Sequence, residues 1–311
     1  MWRYILKRLV MMIFVILGVA ILIFTIMYFV PGDPAQIILG SSATPAQLAE
    51  KRQQLGLDQP YIVQLGRYLR DTFLRFDFGT SYVLGTPVID ELVIRFPRTL
   101  KLAILCILVQ TVVGVPLGVT AAVHQGKWQD SAAILLSMLG MSVPGFWLAL
   151  MSILIFSVRL GWLPPYGIGT WQHWVLPVIT TAIGGIAMNA RQTRSAMLEV
   201  IRSDFITTAR AKGVKEHDVI YGHALPNALI PIITMVGTGF ATSLGGTVIA
   251  ESVFTMPGVG LYMTSAITNL DYPVVRSSVV LLAIAFSFIM LATDLVYAFV
   301  DPRIKAQYAG R

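Results

Sequence analysis

"LVMMIFVILGVAILIFTIMYFVPG", residues 9–32, carries no charged side chain in 24 positions. An α-helix rises about 1.5 Å per residue, and crossing roughly 30 Å of hydrocarbon takes about 20 apolar residues. The stretch is long enough to cross. Arg3, Lys7 and Arg8 precede it, as they would in a secretory leader. The run exceeds the ordinary apolar length of a leader, however, and no small-x-small cleavage site follows, so it reads as a retained anchor. Outward along the chain, the uncharged runs 102–123, 131–158, 160–190 and 224–250 meet the same length, and 277–300 is interrupted only by Asp294. The run at 160–190 opens with Leu163-Pro164-Pro165-Tyr166-Gly167, a loop signature, so its helix is expected to start near Trp174. Six spans are expected, in an all-α polytopic membrane protein.

Composition agrees. Of 311 residues, 56% are apolar and 13% charged, against about 45–50% and about 25% in an average soluble domain. The net charge of +7 raises nucleic acid as a partner, but the basic residues gather at the ends of apolar runs rather than on one face, which argues against it. Cys106 is the single cysteine and lies in an apolar run, so no intrachain disulfide is available.

Orientation follows from Lys and Arg in the short connections. With the N-terminus in the cytosol, inner segments hold 13 basic residues, namely Arg3, Lys7, Arg8, Lys127, Arg191, Arg194, Arg202, Arg210, Lys212, Lys215, Arg303, Lys305 and Arg311, while outer short loops hold 2, Arg159 and Arg276. Both termini are therefore expected in the cytosol. The long first connection is expected outside and partly helical. Thr44, Pro45 and Gln47 have the form of an N-cap, a first-turn proline and a capping-box partner, and Tyr61, Leu65, Tyr68, Leu69 and Phe73 recur at helical spacing. It reads either as a lid on the membrane surface or as a docking surface for an external partner.

"TTARAKGVKEHDVIYGHALP", residues 207–226, is a polar stretch on the cytosolic side of that topology. Ser203 can cap a short helix from Asp204 to about Lys212, Gly213 suits its left-handed end, and Arg210 and Lys212 suit the negative end of its dipole. A second short helix can run from Glu216 to about Ala224, with Pro226 marking the return to the bilayer. Thr207, Thr208, Ala209 and Ala211 are small enough for a partner to approach closely. On residues alone, a solvated loop of no special purpose stays open beside a plug made for a socket.

The pathway candidates are sparser. In "SVPG", residues 142–145, Ser142 precedes Pro144, whose missing N–H can bend the third helix. The fifth span carries Gly237, Gly239, Ser243, Gly245, Gly246 and Thr247, which serve close helix packing or a polar route equally well. Glu251 near its outer end suits an outer gate or a structural ion pair, and Asp294 is expected to pair with an inner cation such as Arg191 or Arg194. The middles of the spans hold no ionisable group and no internal repeat emerges, against an ion-coupled secondary transporter. His124, His173, His217 and His223 stand in connections or at span ends, and the metalloprotease and serine-hydrolase motifs are absent, against an intramembrane enzyme or a metal site.

The polar stretch resembles the cytosolic loop of binding-protein-dependent ABC importer permeases, whose pattern is E-A-A, three residues, G, nine residues, I-x-L-P. Thr207, Thr208 and Ala209 take the first places, Gly213 the glycine, and Leu225-Pro226 the close, while Thr207, Thr208 and His223 depart from the general residues. "PGDP" at 31–34, "LGLDQP" at 55–60, "DFGTS" at 77–81, "GWLP" at 161–164, "ARAKG" at 209–213, "PGVG" at 257–260 and "DYPVV" at 271–275 follow in family order, and the set is similar to the dipeptide, oligopeptide, glutathione and nickel branch.

The resemblance implies a type I importer permease fold in the cytoplasmic membrane: residues 1–30 an N-terminal end and first span, 31–98 an external segment, and 99–311 the core with a coupling loop at 199–226. It implies Thr207, Thr208, Ala209, Arg210, Ala211, Lys212, Gly213, Leu225 and Pro226 as the set that meets an ATP-hydrolysing partner. Ser142, Pro144, Ser243, Thr247 and Glu251 are the pathway expectations. The chain has no phosphate-binding G-x-x-x-x-G-K-[ST] loop, so it is expected to be non-catalytic and to bind no cofactor, with ATP and Mg held by two partner ATPase subunits. A second, related permease subunit and an extracytoplasmic binding protein complete the implied assembly, and short peptides are the first expected solute, before a nickel chelate or glutathione.

Overall fold

The computed structural model describes residues 2–300, and side chains over 5–296. Arg303, Lys305 and Arg311, and the Arg3 side chain, which carry part of the expected charge bias, lie outside the described residues. Those residues form helices and connections, with no strand and one isolated bridge between Thr80 and Pro87. Five helices are long and apolar enough to span a membrane: α1 (Trp2–Phe29, apolar from Ile5), α5 (Val88–Val123), α8 (Gln172–Ile201), α11 (Leu225–Val253, continuous with a shorter lead-in from Glu216) and α13 (Tyr272–Val300).

The third expected span, 131–158, departs from a simple bend. α6 (Trp128–Ser142) stops, and α7 (Gly145–Ser152) continues through wider π-type turns to Arg159, the two arms being bent by 92°. Pro144 has no N–H to donate and its ring drives the preceding residue out of the helical region, so Val143 sits at φ −88°, ψ 125°. At about 1.5 Å per residue, 15 residues reach about 22 Å, so neither arm crosses alone.

Among the described residues, 8–99 with 257–287 form one compact unit, and 2–7, 100–256 and 288–300 the other. In the first, α2 (Pro34–Leu39) is capped by the Asp33 carboxylate, which also accepts two hydrogen bonds from Arg52 on α3 (Pro45–Leu55). The expected capping box of Thr44 and Gln47 forms, and Gly56 ends α3 at φ +68°. α4 (Tyr61–Leu74) lays Tyr61 and Tyr68 against Phe24 of α1, and the Tyr61 hydroxyl meets the Thr25 hydroxyl at 2.7 Å.

Buried Asp271 fastens another joint: it accepts from the Ser81 hydroxyl and from the N–H groups of Tyr82 and Val83 at 3.1 and 3.3 Å. Ser277 donates to the Phe78 carbonyl at 3.0 Å. Next to "PGVG", the Val259 N–H donates to Thr99, and Arg98 to the Pro257 carbonyl, both at 2.9 Å. Several of the short sequence signatures are thus structural joints, satisfying buried polar groups that would otherwise cost about 1–3 kcal/mol each. The helix α12 (Val259–Thr268) was not anticipated, because ten residues that open between Gly258 and Gly260 give too little periodic pattern. α13 begins five residues before the expected apolar run, which places Arg276 within the helix rather than in an outer loop.

In the second unit α5 and α8 approach backbone to backbone. A Cβ at Gly114 would lie 2.8 Å from the Ile186 carbonyl oxygen, and one at Gly118 2.5 Å from that of Ala190. α6 is joined to α8 by Asp130, which accepts from Arg194 at 2.5 and 2.8 Å and from the Gly126 N–H at 3.0 Å. Arg194 therefore serves Asp130 rather than the expected Asp294, and Arg191 points at the Met188 sulfur. Asp130 lies in the first turn of α6, and spacing along the chain carries no sign of a partner 64 positions away.

Candidate functional site

The polar hairpin folds as its residues direct. α9 (Asp204–Ala211) follows Ser203 and ends before Gly213, whose φ of +77° is the left-handed conformation that favours glycine. α10 (Glu216–Asp218) then widens into π-type turns over Val219–Ala224 before α11. Pro226 has no N–H for the carbonyl of Gly222, which removes one ordinary helical bond where the turns widen. One local expectation fails: Ser203 stands at the N-cap, but its hydroxyl donates to the Val200 carbonyl at 2.6 Å and caps nothing.

Ile206, Val219, Ile220 and Ala224 are buried with Met197 of α8 and Val119 and Ala122 of α5 in one apolar cluster. That cluster roots the hairpin, and Arg210 staples it, donating to the Glu216 carboxylate at 3.1 and 2.8 Å. The opposite side is free: Thr207, Thr208, Arg210, Ala211, Lys212, Gly213 and Pro226 are exposed, whereas Ala209 and Leu225 are half-buried. Two residues that sequence reasoning passed over join the exposed side, Phe205 at 48% and Tyr221 at 50% exposure, with the His217 ring 4.8 Å from that of Tyr221. Their signal was available, since a large apolar residue beside Ile206 lies about 100° round a helix from the buried face.

Within the same unit, two cavities of about 430 and 440 Å³ lie among α5, α6, α7, α8 and α11. Gln110, Thr181, Asn189, Gln192, Thr238 and Ser243 line the first, and Met141, Val143, Gly145, Thr180 and Gly184 are among the residues of the second. No Asp, Glu, Lys or Arg lines either. The Asn189 amide nitrogen is buried without a hydrogen-bond partner, leaving a donor at the wall.

Of the five expected pathway residues, Ser243 lines a cavity. Ser142 and Pro144 sit at the helix break between lining neighbours, whereas Thr247 and Glu251 are buried at 0% and 1% exposure. The glycines of α11 divide by role. A Cβ at Gly237 would lie 2.0 Å from the Thr293 side chain, so that glycine permits close packing, while Gly245 and Gly246 face open space and Gly246 lines both cavities.

Residues 114–306 match the family of binding-protein-dependent transport system inner membrane components, and residues 1–103 match the N-terminal segment model of the same systems' membrane components. The chain belongs to the binding-protein-dependent permeases of ABC importers.

The permease is 42% identical over 305 residues to a glutathione transport system permease protein of Salmonella paratyphi A, covering 98% of this chain and 99% of the relative. It is 39% identical over 333 residues to a dipeptide transport system permease of Alkalihalophilus pseudofirmus, with 98% and 100% coverage, and 41% identical over 313 residues to a putative peptide transport system permease of Brucella abortus, with 98% and 99%. These relatives place it in the peptide branch. Among solved structures it shares a fold with a chain of the MetNI methionine ABC transporter in an inward-facing conformation, at a TM-score of 0.57 and 22% identity over 68% of this chain and 97% of that one. The permease is a multi-pass inner membrane protein and a non-catalytic subunit, because in this family ATP hydrolysis resides in separate subunits. Such permeases work with ATPase subunits and a substrate-binding protein.

Proposed function

We propose that the permease carries short peptides inward, driven through the hairpin at 199–226 by cytosolic ATPase subunits. The supporting observation is the hairpin's two-sidedness. Its apolar root is buried against α5 and α8, so a push on its exposed side is transmitted into spanning helices rather than absorbed by a floppy loop. Thr207, Thr208, Ala209, Arg210, Ala211, Lys212, Gly213, Leu225 and Pro226 form the contact set, joined by Phe205 and Tyr221 as apolar anchors. In this reading both termini are cytosolic, 31–98 lies outside with the binding protein, and two ATPase subunits bind ATP and Mg. The chain forms half of the pathway beside a second, related permease.

Peptides are favoured by the names of two relatives, a dipeptide permease and a putative peptide permease, and by the wall chemistry. Passing peptides of varied sequence calls for weak, uncommitted contacts, and uncharged amides, hydroxyls and glycine supply them around Ser243, Gln110, Asn189 and Gln192. Glutathione, itself a tripeptide, is the second reading, on the Salmonella relative's name.

The test is uptake by the reconstituted complex with ATP and no ion gradient, comparing dipeptides, glutathione and a nickel chelate. Dipeptide uptake is expected, and its absence beside uptake of another solute overturns the substrate. Gly213→Asp tests the coupling. Asp enters the left-handed region more readily than most residues, at a local strain confined to the exposed turn, and nothing lies within 4 Å of the added Cβ, so the protein is expected to insert normally yet lose substrate-stimulated ATP hydrolysis. Hydrolysis and uptake surviving in that variant would remove the hairpin from the mechanism.

A further inference from the structure

In the unit built from residues 8–99 and 257–287, the Arg276 guanidinium is held by rings rather than by an acid. Its Cζ lies 5.1 Å from the ring centre of Phe24, 5.5 Å from that of Tyr68 and 5.9 Å from that of Tyr272. Its Nε is buried with no hydrogen-bond partner, and among the described residues no carboxylate forms an ion pair with it. Aromatic faces stabilise a guanidinium through its plane and leave the N–H edge to an acceptor lying in that plane.

Two cavities of about 250 and 340 Å³ share Arg276 as a wall. In the larger, the other charges, Asp33 and Arg52, already satisfy each other at 2.7 Å. The smaller is different. Arg67 there donates to the neutral Gln59 side chain and Asp71 pairs with Arg70 and Arg75, which leaves Asp77, an exposed carboxylate engaged by the Gly79 N–H through one oxygen, as the acid of the wall without a cation. A half-buried cation whose Nε lacks an acceptor and an exposed anion lacking a cation therefore line one small cavity. A ligand that is negative at one end and positive at the other complements both, whereas a phosphate headgroup meets the repulsion of Asp77.

We propose that this cavity binds a small zwitterion, with its carboxylate on Arg276 and its ammonium at Asp77. A short peptide with free termini has that chemistry; this choice of probe, though not the site, rests on the peptide reading above.

The experiment follows hydrogen exchange of residues 61–82 and 272–277 in the purified permease–ATPase complex in nanodiscs, without binding protein, on titration with L-alanyl-L-alanine. Saturable protection is expected. Arg276→Gln should weaken the apparent affinity about ten- to a hundredfold, as loss of a charged hydrogen-bond partner does, and Arg276→Lys should weaken it less. Asp77→Asn lies at an exposed position and keeps the fold, so it decides the matter even if the Arg276 variants fail to assemble. It should weaken L-alanyl-L-alanine yet leave binding of the N-acetylated peptide unchanged, and the C-terminally amidated peptide should give no protection. No protection in the unmodified protein, equal affinity in Asp77→Asn and Arg276→Gln, or protection by phosphatidylglycerol or inorganic phosphate in place of the dipeptide overturns the site. Protection that persists while ATP-driven dipeptide uptake is absent would instead count against the peptide reading alone.

Discussion

Replacing Asp130 with Asn tests the pair that fastens α6 to α8. The carboxylate is 5% exposed and accepts three hydrogen bonds, two from Arg194 and one from the Gly126 N–H. Asn keeps the shape but turns one acceptor into a donor facing a guanidinium that stays charged. Removing one partner of a fully buried pair costs about 3–5 kcal/mol, and an exposed pair contributes less than about 1 kcal/mol. Arg194 is 23% exposed, so water recovers part of its solvation, and a loss of about 2–3 kcal/mol is expected. Arg194→Gln should cost a similar amount. Because each single change strands the same pair, the double variant should fall short of the sum by about 1.5–2 kcal/mol. The assay is thermal unfolding of the purified permease in detergent, where about 1 kcal/mol corresponds to roughly 2 °C at this chain length. Asp294→Asn supplies the control and should combine additively with Arg194→Gln, within about 0.5 kcal/mol. Stronger coupling of Arg194 to Asp294 than to Asp130 would refute the assignment.

Three further outcomes follow from packing and burial. Gly118→Ala places a methyl 2.5 Å from the Ala190 carbonyl oxygen, which α8 cannot move cheaply, and should cost about 1–3 kcal/mol in the same unfolding assay. Gly246→Ala meets nothing within 4 Å and should leave stability unchanged or raise it by about 1 kcal/mol through helix propensity, while narrowing both cavities and slowing uptake. Burial pushes the Tyr68 hydroxyl up to about 12. The folded protein thus holds that proton more tightly than the unfolded chain, so the contribution is full below pH 10 and lost as pH rises from 10 to 12, by at most about 1.4 kcal/mol per pH unit. Tyr68→Phe should flatten the stability profile in that window, and an unchanged slope would count against the burial.

Much of this was legible in the chain because membranes impose a coarse rule. Hydrocarbon offers backbone groups no partner, so the runs at 9–32, 102–123, 224–250 and 277–300, and 160–190 from about Trp174 onward, read directly as helices. Caps and turns are equally local, which is why Thr44 with Gln47, and Gly213, behave as expected. The hairpin's bounds followed from the same signals. The short signatures gave family order but no roles: nothing in "DFGTS" or "DYPVV" says that Ser81 and Asp271 meet across 190 positions. Nor could a lone proline tell a kink from the 92° break after Ser142, since that angle depends on what each arm packs against.

The sequence by itself determined where the chain is oily, where its helices start and stop, and which polar stretch interrupts them, because each is a one-dimensional property of neighbouring residues. Only the tertiary structure decided that Arg194 serves Asp130, that Gly237 admits a neighbour while Gly246 opens onto a cavity, and that Arg276 stands in a helix among three rings rather than in an outer loop. Those choices turn on which distant side chains share a few ångströms of space, and composition and spacing carry no record of that.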